Sequence, residues 1–306
     1  MRKLTLDVTK VETWLSNSTG LQRSIVQVTP LLGGISTAMY QLDLSEGAPI
    51  VIRQFTNKAW LEEEPELARH EADSLRSAAR SKITAPAIIA YDGDGTACGL
   101  PTVAMTHLSG KVELHPQNME SWLQGLADTL AKLHSSTEVT TDWTYYRYRK
   151  GTGIEPDWSW SSVPDIWTQA LARIQLPPPP TRTGFIHRDY HPNNVLWHNG
   201  QVTGVVDWVN ACNGPLAADT GHCRINLALL YGVKEADRFL HYYREFMGKD
   251  DPYHPYWDLV SLGDGVEGPP QVYKGWTDLG LTGLSNQLMA ERLDQYLVSV
   301  IKRMRI

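Results

Sequence analysis

Residues 185–195 read FIHRDYHPNNV, and within that short stretch Asp189 and Asn194 stand five positions apart. Asp207 follows thirteen residues later, at the end of the apolar run GVVD (204–207). Phosphoryl transfer uses such a set: a carboxylate that orients the attacking hydroxyl and accepts its proton, and an amide and a second carboxylate that hold Mg²⁺ against the nucleotide phosphates. Asp189 fits the first role, and Asn194 and Asp207 fit the second. Because Asn194 is a neutral oxygen donor, three negative charges do not accumulate before the nucleotide arrives, and hard oxygen ligands suit Mg²⁺. Three other readings compete. His187, Asp189 and His191 could bind a softer metal, but their i, i+2, i+4 spacing fits no helical face. A serine hydrolase would need a G-x-S-x-G elbow, and the chain has none. A plain polar turn satisfying its own backbone is the simplest reading of the loop alone.

The elements that would position these groups can be traced upstream. SIVQVTPL (24–31), TAMYQLDL (37–44) and APIVIRQF (48–55) read as strands, the last two joined by a turn at SEG (45–47). Between the first two lies LLGGIST (31–37), where Gly33 and Gly34 would let backbone amides approach phosphate and Ser36 adds a hydroxyl donor. Arg53 interrupts an apolar strand, where a buried cation requires a partner. Glu71 lies four residues from both Leu67 and Leu75 in a predicted helix over 64–80, so a carboxylate interrupts a buried stripe. Pairing Arg53 with Glu71, and aiming the pair at the α/β-phosphates, accounts for both. The strand TVAMTHL (102–108) would offer backbone groups around Met105 and His107 to an adenine edge.

After residue 108 the pattern turns helical. MESWLQGLADTLAKLHS (119–135) carries Met119, Trp122, Leu123, Leu126, Leu130 and Leu133 on one stripe. Residues 141–180 read as irregular and aromatic, ending in PPPP, and the end of the chain is helical again. This predicts an α+β protein of two lobes: a nucleotide-binding lobe over 1–108, mostly antiparallel sheet, and a larger, mostly helical catalytic and substrate-binding lobe over 109–306.

HRDYHPNN and GVVDW, with GGIST, VIRQF and HEADSL upstream, resemble the aminoglycoside phosphotransferase and choline kinase-like family of the protein-kinase-like fold, over roughly residues 28–225. The resemblance implies an ATP- and Mg²⁺-dependent kinase acting on a small hydroxyl compound. It implies Asp189 as base, Asn194 and Asp207 as Mg²⁺ ligands, His187 as a histidine bracing the loop, and Asp219 as an anchor for the loop from the following helix. Arg53 stands where the family most often has lysine, and a planar guanidinium is not equivalent to an ammonium. A protein kinase is disfavoured because His191 replaces its lysine two residues past the aspartate. In addition, only eleven residues separate Asp207 from Asp219, with no A-P-E to dock a peptide. A non-catalytic nucleotide-binding protein would be expected to lose one of Asp189, Asn194 and Asp207, and all three are present.

Composition bounds the rest. A net charge of −6 without a long basic run argues against nucleic acid. Cys98, Cys212 and Cys223 form no CxxC pair, no stretch approaches a membrane span, and the charged start lacks a signal core, so a cytoplasmic chain is expected. The acceptor pocket is expected from residues 141–170 and the C-terminal helices. Trp143, Trp158, Trp160, Glu155, Asp157 and Asp264 are candidates there, although most of those aromatics should pack the core. An aminoglycoside or other hydroxylated antibiotic, an amino alcohol, or a sugar-like metabolite would suit it.

Overall fold

In the computed structural model, residues 6–20, 23–31, 37–148, 157–266 and 268–304 are described. The chain opens with a helix, α1 (Val8–Thr19), and continues through β1 (Ile25–Pro30), β2 (Thr37–Leu44) and β3 (Ile50–Phe55). Two helices follow, α2 (Lys58–Glu63) and α3 (Leu67–Ala78), then β4 (Ile88–Asp92) and β5 (Thr102–Thr106). The five strands form one antiparallel sheet in the order β1-β2-β3-β5-β4. Because successive side chains on a strand face opposite ways, β3 is buried on both sides. Ile50 and Ile52 pack with Val11 and Trp14 of α1, whereas Val51 and Phe55 join Leu67 and Leu75 of α3. Arg53 shares the parity of Val51 and Phe55, which turns it toward α3.

The remaining elements are β6 (Lys111–Val112), α4 (Met119–His134), α5 (Pro164–Ile174), β7 (Thr183–Ile186), β8 (Val195–His198), β9 (Gln201–Val205) and β10 (Cys212–Pro215), then α6 (Leu216–Tyr231), α7 (Val233–Met247), α8 (Tyr256–Gly265), α9 (Lys274–Asp278) and α10 (Asn286–Met304). Strand β8 pairs with β6 and β9, and β10 pairs with β7. Two loops therefore face each other, 187–194 between β7 and β8 and 206–211 between β9 and β10. Helices α4, α6, α7, α8 and α10 pack beneath them. The α+β architecture matches the sequence expectation, with one element that the sequence reading did not assign and one correction. Residues 8–19 form the unassigned helix α1, capped by Asp7, which accepts from the Lys10 amide, and ended by Gly20 at φ 70°. Residues 164–174 are helical rather than irregular: Pro164 sits in the first turn, and Trp167, Ala170 and Ile174 share a buried face.

Candidate active site

His187 and Asp219 set the conformation of the 187–194 loop. His187 is fully buried. Its Nε2 lies 2.9 Å from the Val206 carbonyl, so that nitrogen carries the proton, and Nδ1 accepts the Asp189 amide at 3.3 Å. The ring thus joins the two loops and faces away from the cavity. Asp219, in the first turn of α6, accepts the backbone N–H of His187 at 2.8 Å and of Arg188 at 2.6 Å, one on each oxygen. That grip holds Arg188 at φ 67°, a left-handed conformation costly for a side-chain-bearing residue. The Arg188 guanidinium lies 4.1 Å over the Tyr146 ring and 4.0 Å over that of Tyr148.

Asp189 follows, with 29 % of its side chain exposed. Asn194, at the end of a one-turn 3₁₀ helix over Pro192–Asn194, donates from Nδ2 to the Asp189 carbonyl at 2.8 Å and to Oδ2 at 3.2 Å. With the amide nitrogen so engaged, the Asn194 oxygen remains as a donor to a cation. His222 of α6 lies 2.9 Å from Asp189 Oδ1, and His191 Nε2 lies 3.7 Å from the same oxygen. Burial alone would raise the Asp189 carboxyl, but His191 and the bonded His222 hold it well below the usual carboxylate range. Burial depresses His191 to about 4, whereas the bond and charge of Asp189 overcome burial at His222 and raise it.

Asp207 sits across the gap at φ 70°. Arg53 Nη1 lies 2.8 Å from both Glu71 Oε1 and Asp207 Oδ1, so the expected Arg53–Glu71 pair forms and extends to the second carboxylate. Glu71 is 1 % exposed, and burial pushes its carboxyl up to about 7 against the opposing charge of Arg53. Both edges of β5 are paired at Met105, so its backbone lies inside the sheet, while His107 lies beyond the last ladder pair. Gly33, Gly34 and Ser36 lie outside the described residues, as does Glu155.

A cavity of about 380 Å³ opens beside Asp189, and Tyr145, Tyr148, His222, Asp264, Tyr273 and Trp276 are among its walls. The tryptophans singled out in the sequence are elsewhere. Trp158 and Trp160 pack on Trp167, and Trp143 stacks on His70 at 4.0 Å. Asp157 binds Ser159. His222 was not visible in the sequence, although its position three residues after Asp219 places both on one helical face. Among the described residues, no helix is long and apolar enough to cross a membrane.

The model of the phosphotransferase enzyme family matches residues 27–259. No curated protein matches the chain. Among solved structures, aminoglycoside phosphotransferase APH(4)-Ia, in a ternary complex of a thermostable mutant with AMP-PNP and hygromycin B, is similar at TM-score 0.61 and 16 % identity, covering 96 % of this chain and 98 % of that one. The amicoumacin kinase hAmiN, in complex with AMP-PNP, Ca²⁺ and Ami, is similar at TM-score 0.59 and 14 % identity, over 89 % and 88 % of the two chains. A protein of Thermobifida fusca YX-ER1 described as a fructosamine-3-kinase gives TM-score 0.54 and 17 % identity, over 97 % and 99 %. At such identities the likeness is one of fold, the two-lobed protein-kinase-like fold. The family match spans about three quarters of the sequence, from within β1 to the first turn of α8, and includes both loops of the site: this chain belongs to the phosphotransferase enzyme family.

Proposed function

We propose that the protein transfers the γ-phosphate of ATP, with Mg²⁺, to a hydroxyl of a small molecule held in the cavity beside Asp189. The observation that carries this reading is the convergence of Asp189, Asn194 and Asp207 from two facing loops, with Arg53 tied to Asp207 from the sheet. Asp189 is the base, oriented by Asn194. The free oxygens of Asn194 and Asp207 form a hard donor set that fits Mg²⁺, which would neutralise charge on the phosphates. Arg53, held by Glu71, faces the phosphates, and His107 offers backbone groups to the base. The glycine-rich segment over Gly33, Gly34 and Ser36 would cover the phosphates. Residues 1–108 then serve the nucleotide, and 109–306 serve the acceptor.

A peptide acceptor is disfavoured by the short path from Asp207 to Asp219. Strand β10 pairs with β7 and runs directly into α6, leaving no segment to dock a chain. The similar solved structures include a complex with hygromycin B and an amicoumacin kinase in complex with Ami, which makes antibiotics reasonable first acceptors here. A coupled ADP-release screen over hygromycin B, a fructosamine, choline and a neutral sugar tests the reading. We expect turnover of at least one compound with ATP and Mg²⁺, abolished in Asp189→Asn while Mg²⁺-dependent nucleotide binding persists. Undiminished turnover in that variant would remove Asp189 as the base.

A further inference from the structure

Helix α6 holds the loop at two points from one face. Asp219 takes the backbone N–H groups of His187 and Arg188. One turn later, His222 reaches the side chain of the loop's carboxylate, with Nε2 2.9 Å from Asp189 Oδ1. Asn194 engages the opposite oxygen, Oδ2. Both carboxylate oxygens are therefore tethered, each from a different element. His222 is also a wall of the cavity, with a third of its side chain open to it, and the His191 ring packs against it at 5.6 Å. Asn226, one further turn along α6 and another wall of the cavity, donates to the His222 carbonyl at 2.9 Å.

We infer that His222 is a positioning residue for phosphotransfer, fixing Asp189 Oδ1 toward the acceptor and, with Asn226, forming the wall against which the acceptor hydroxyl is seated. The inference rests on the proposed function. In the reaction, the acceptor O–H bond breaks as its oxygen bonds to the γ-phosphorus. The proton passes to the Asp189 carboxylate, and the bond from phosphorus to the ADP oxygen breaks with its electron pair left on ADP. A carboxylate oxygen has two lone pairs, so Oδ1 can keep the His222 bond and still receive the hydroxyl. Without His222 the carboxylate is held only at Oδ2 and can turn away from the acceptor. Misplacement by about 1 Å costs on the order of 10²-fold in rate. The donor atoms of Asp189, His191 and His222 lie within 4.8 Å of one another, a spacing that could suit a cation. However, the carboxylate–imidazole bond already accounts for that closeness.

His222→Ala and His222→Gln, made in the full chain beside Asp189→Asn, test this with ATP, Mg²⁺ and the four acceptor compounds above. We expect His222→Ala to lower kcat by roughly 10²-fold while leaving ADP·Mg²⁺ affinity by calorimetry unchanged. His222→Gln, whose amide can still donate to the carboxylate, should recover most of the loss. Wild-type kcat in His222→Ala, equal impairment of both variants, or nucleotide affinity falling in step with kcat each overturns the inference. If Asp189→Asn is inactive and His222→Ala is normal, this inference alone fails. If Asp189→Asn is active, or the wild type turns over none of the compounds, the proposed function fails and this inference with it.

Discussion

Arg53 places a single nitrogen between two carboxylates, in a strand buried on both faces. Removing it leaves Glu71 without a counter-ion at 1 % exposure, and breaking a buried pair from one side typically costs about 3–5 kcal/mol. Arg53→Ala should therefore lower the melting temperature more than the double variant Arg53→Ala/Glu71→Ala, which removes the stranded charge as well. Equal or additive losses would show that the pair does not act as a unit. His191 gives a pH prediction. Burial holds it at about 4 in the folded chain, whereas an unfolded histidine titrates near about 6.5. Between those values the unfolded state binds more protons, so stability falls as pH falls through this window and is fully present above it. Asp189, also depressed, continues the same trend at lower pH. Glu71, raised to about 7, takes up a proton on folding across the same window and opposes that trend, as does the raised His222 near its upper end. The His191 contribution is therefore read as a difference: acidification from pH 7 to 4.5 should lower the melting temperature of the wild type more, or raise it less, than that of His191→Asn, and an unchanged slope counts against the assignment. Arg53 and Glu71 were legible in the sequence because each breaks a local apolar pattern. His222 breaks none, and its partner lies thirty-three residues earlier, so only the folded chain brings them together.

At the scale of elements, α6 carries the greatest density of site contacts, and its placement depends on close approach to α8. A Cβ added at Gly221 would lie 2.5 Å from the Trp257 carbonyl oxygen and 2.8 Å from Ser261 Oγ. Neither backbone oxygen nor helix can yield by that much without a shift of α6. Gly221→Ala should accordingly destabilise by about 1–3 kcal/mol, as overpacked cores do. It should also reduce acceptor turnover, because Asp219 and His222 flank the displaced turn. A variant of unaltered stability and rate would mean that the helices separate freely. The strand β2 and the helix α4 could be read from alternation and from a strong apolar stripe, and their limits match the predicted ones to within a residue. Helix α1 could not, since only Val11 and Trp14 of its twelve residues are buried, too few to set a period. Helix α5 was masked by the surrounding Trp-rich and Pro-rich sequence, although Pro164 at its start is an ordinary helix opening.

For the molecule as a whole, the question is what registers the sheet against the helices, since on the proposed function nucleotide and acceptor meet between them. Apolar packing is continuous: Val51, Phe55 and Met105 of the sheet belong to the same core as Leu126, Phe185 and Leu216. Polar contacts then fix the alignment. His70 Nε2 donates to the Ala211 carbonyl at 2.8 Å, and Ser74 Oγ donates to the same oxygen at 3.3 Å. At the end of α3 Ser77 Oγ, and just past the helix Arg80 Nη2, each donate to the Thr140 carbonyl at 3.0 Å, and Tyr146 donates to Glu64 at 2.6 Å. The helix that carries Glu71 is thereby bonded to the loop that carries Asp207, directly through side chains as well as through Arg53. A shared core predicts one cooperative unfolding transition by calorimetry. The double variant His70→Ala/Ser74→Ala should keep that single transition, because packing is largely retained. The buried Ala211 carbonyl, however, would lose its donors from α3 at a cost of about 1–3 kcal/mol. That loss is local, so amide hydrogen exchange should quicken over residues 207–212 while the strands β3 and β5 stay protected. If exchange over 207–212 were undisturbed, apolar packing alone would set the register, and α3 would not transmit its position to Asp207.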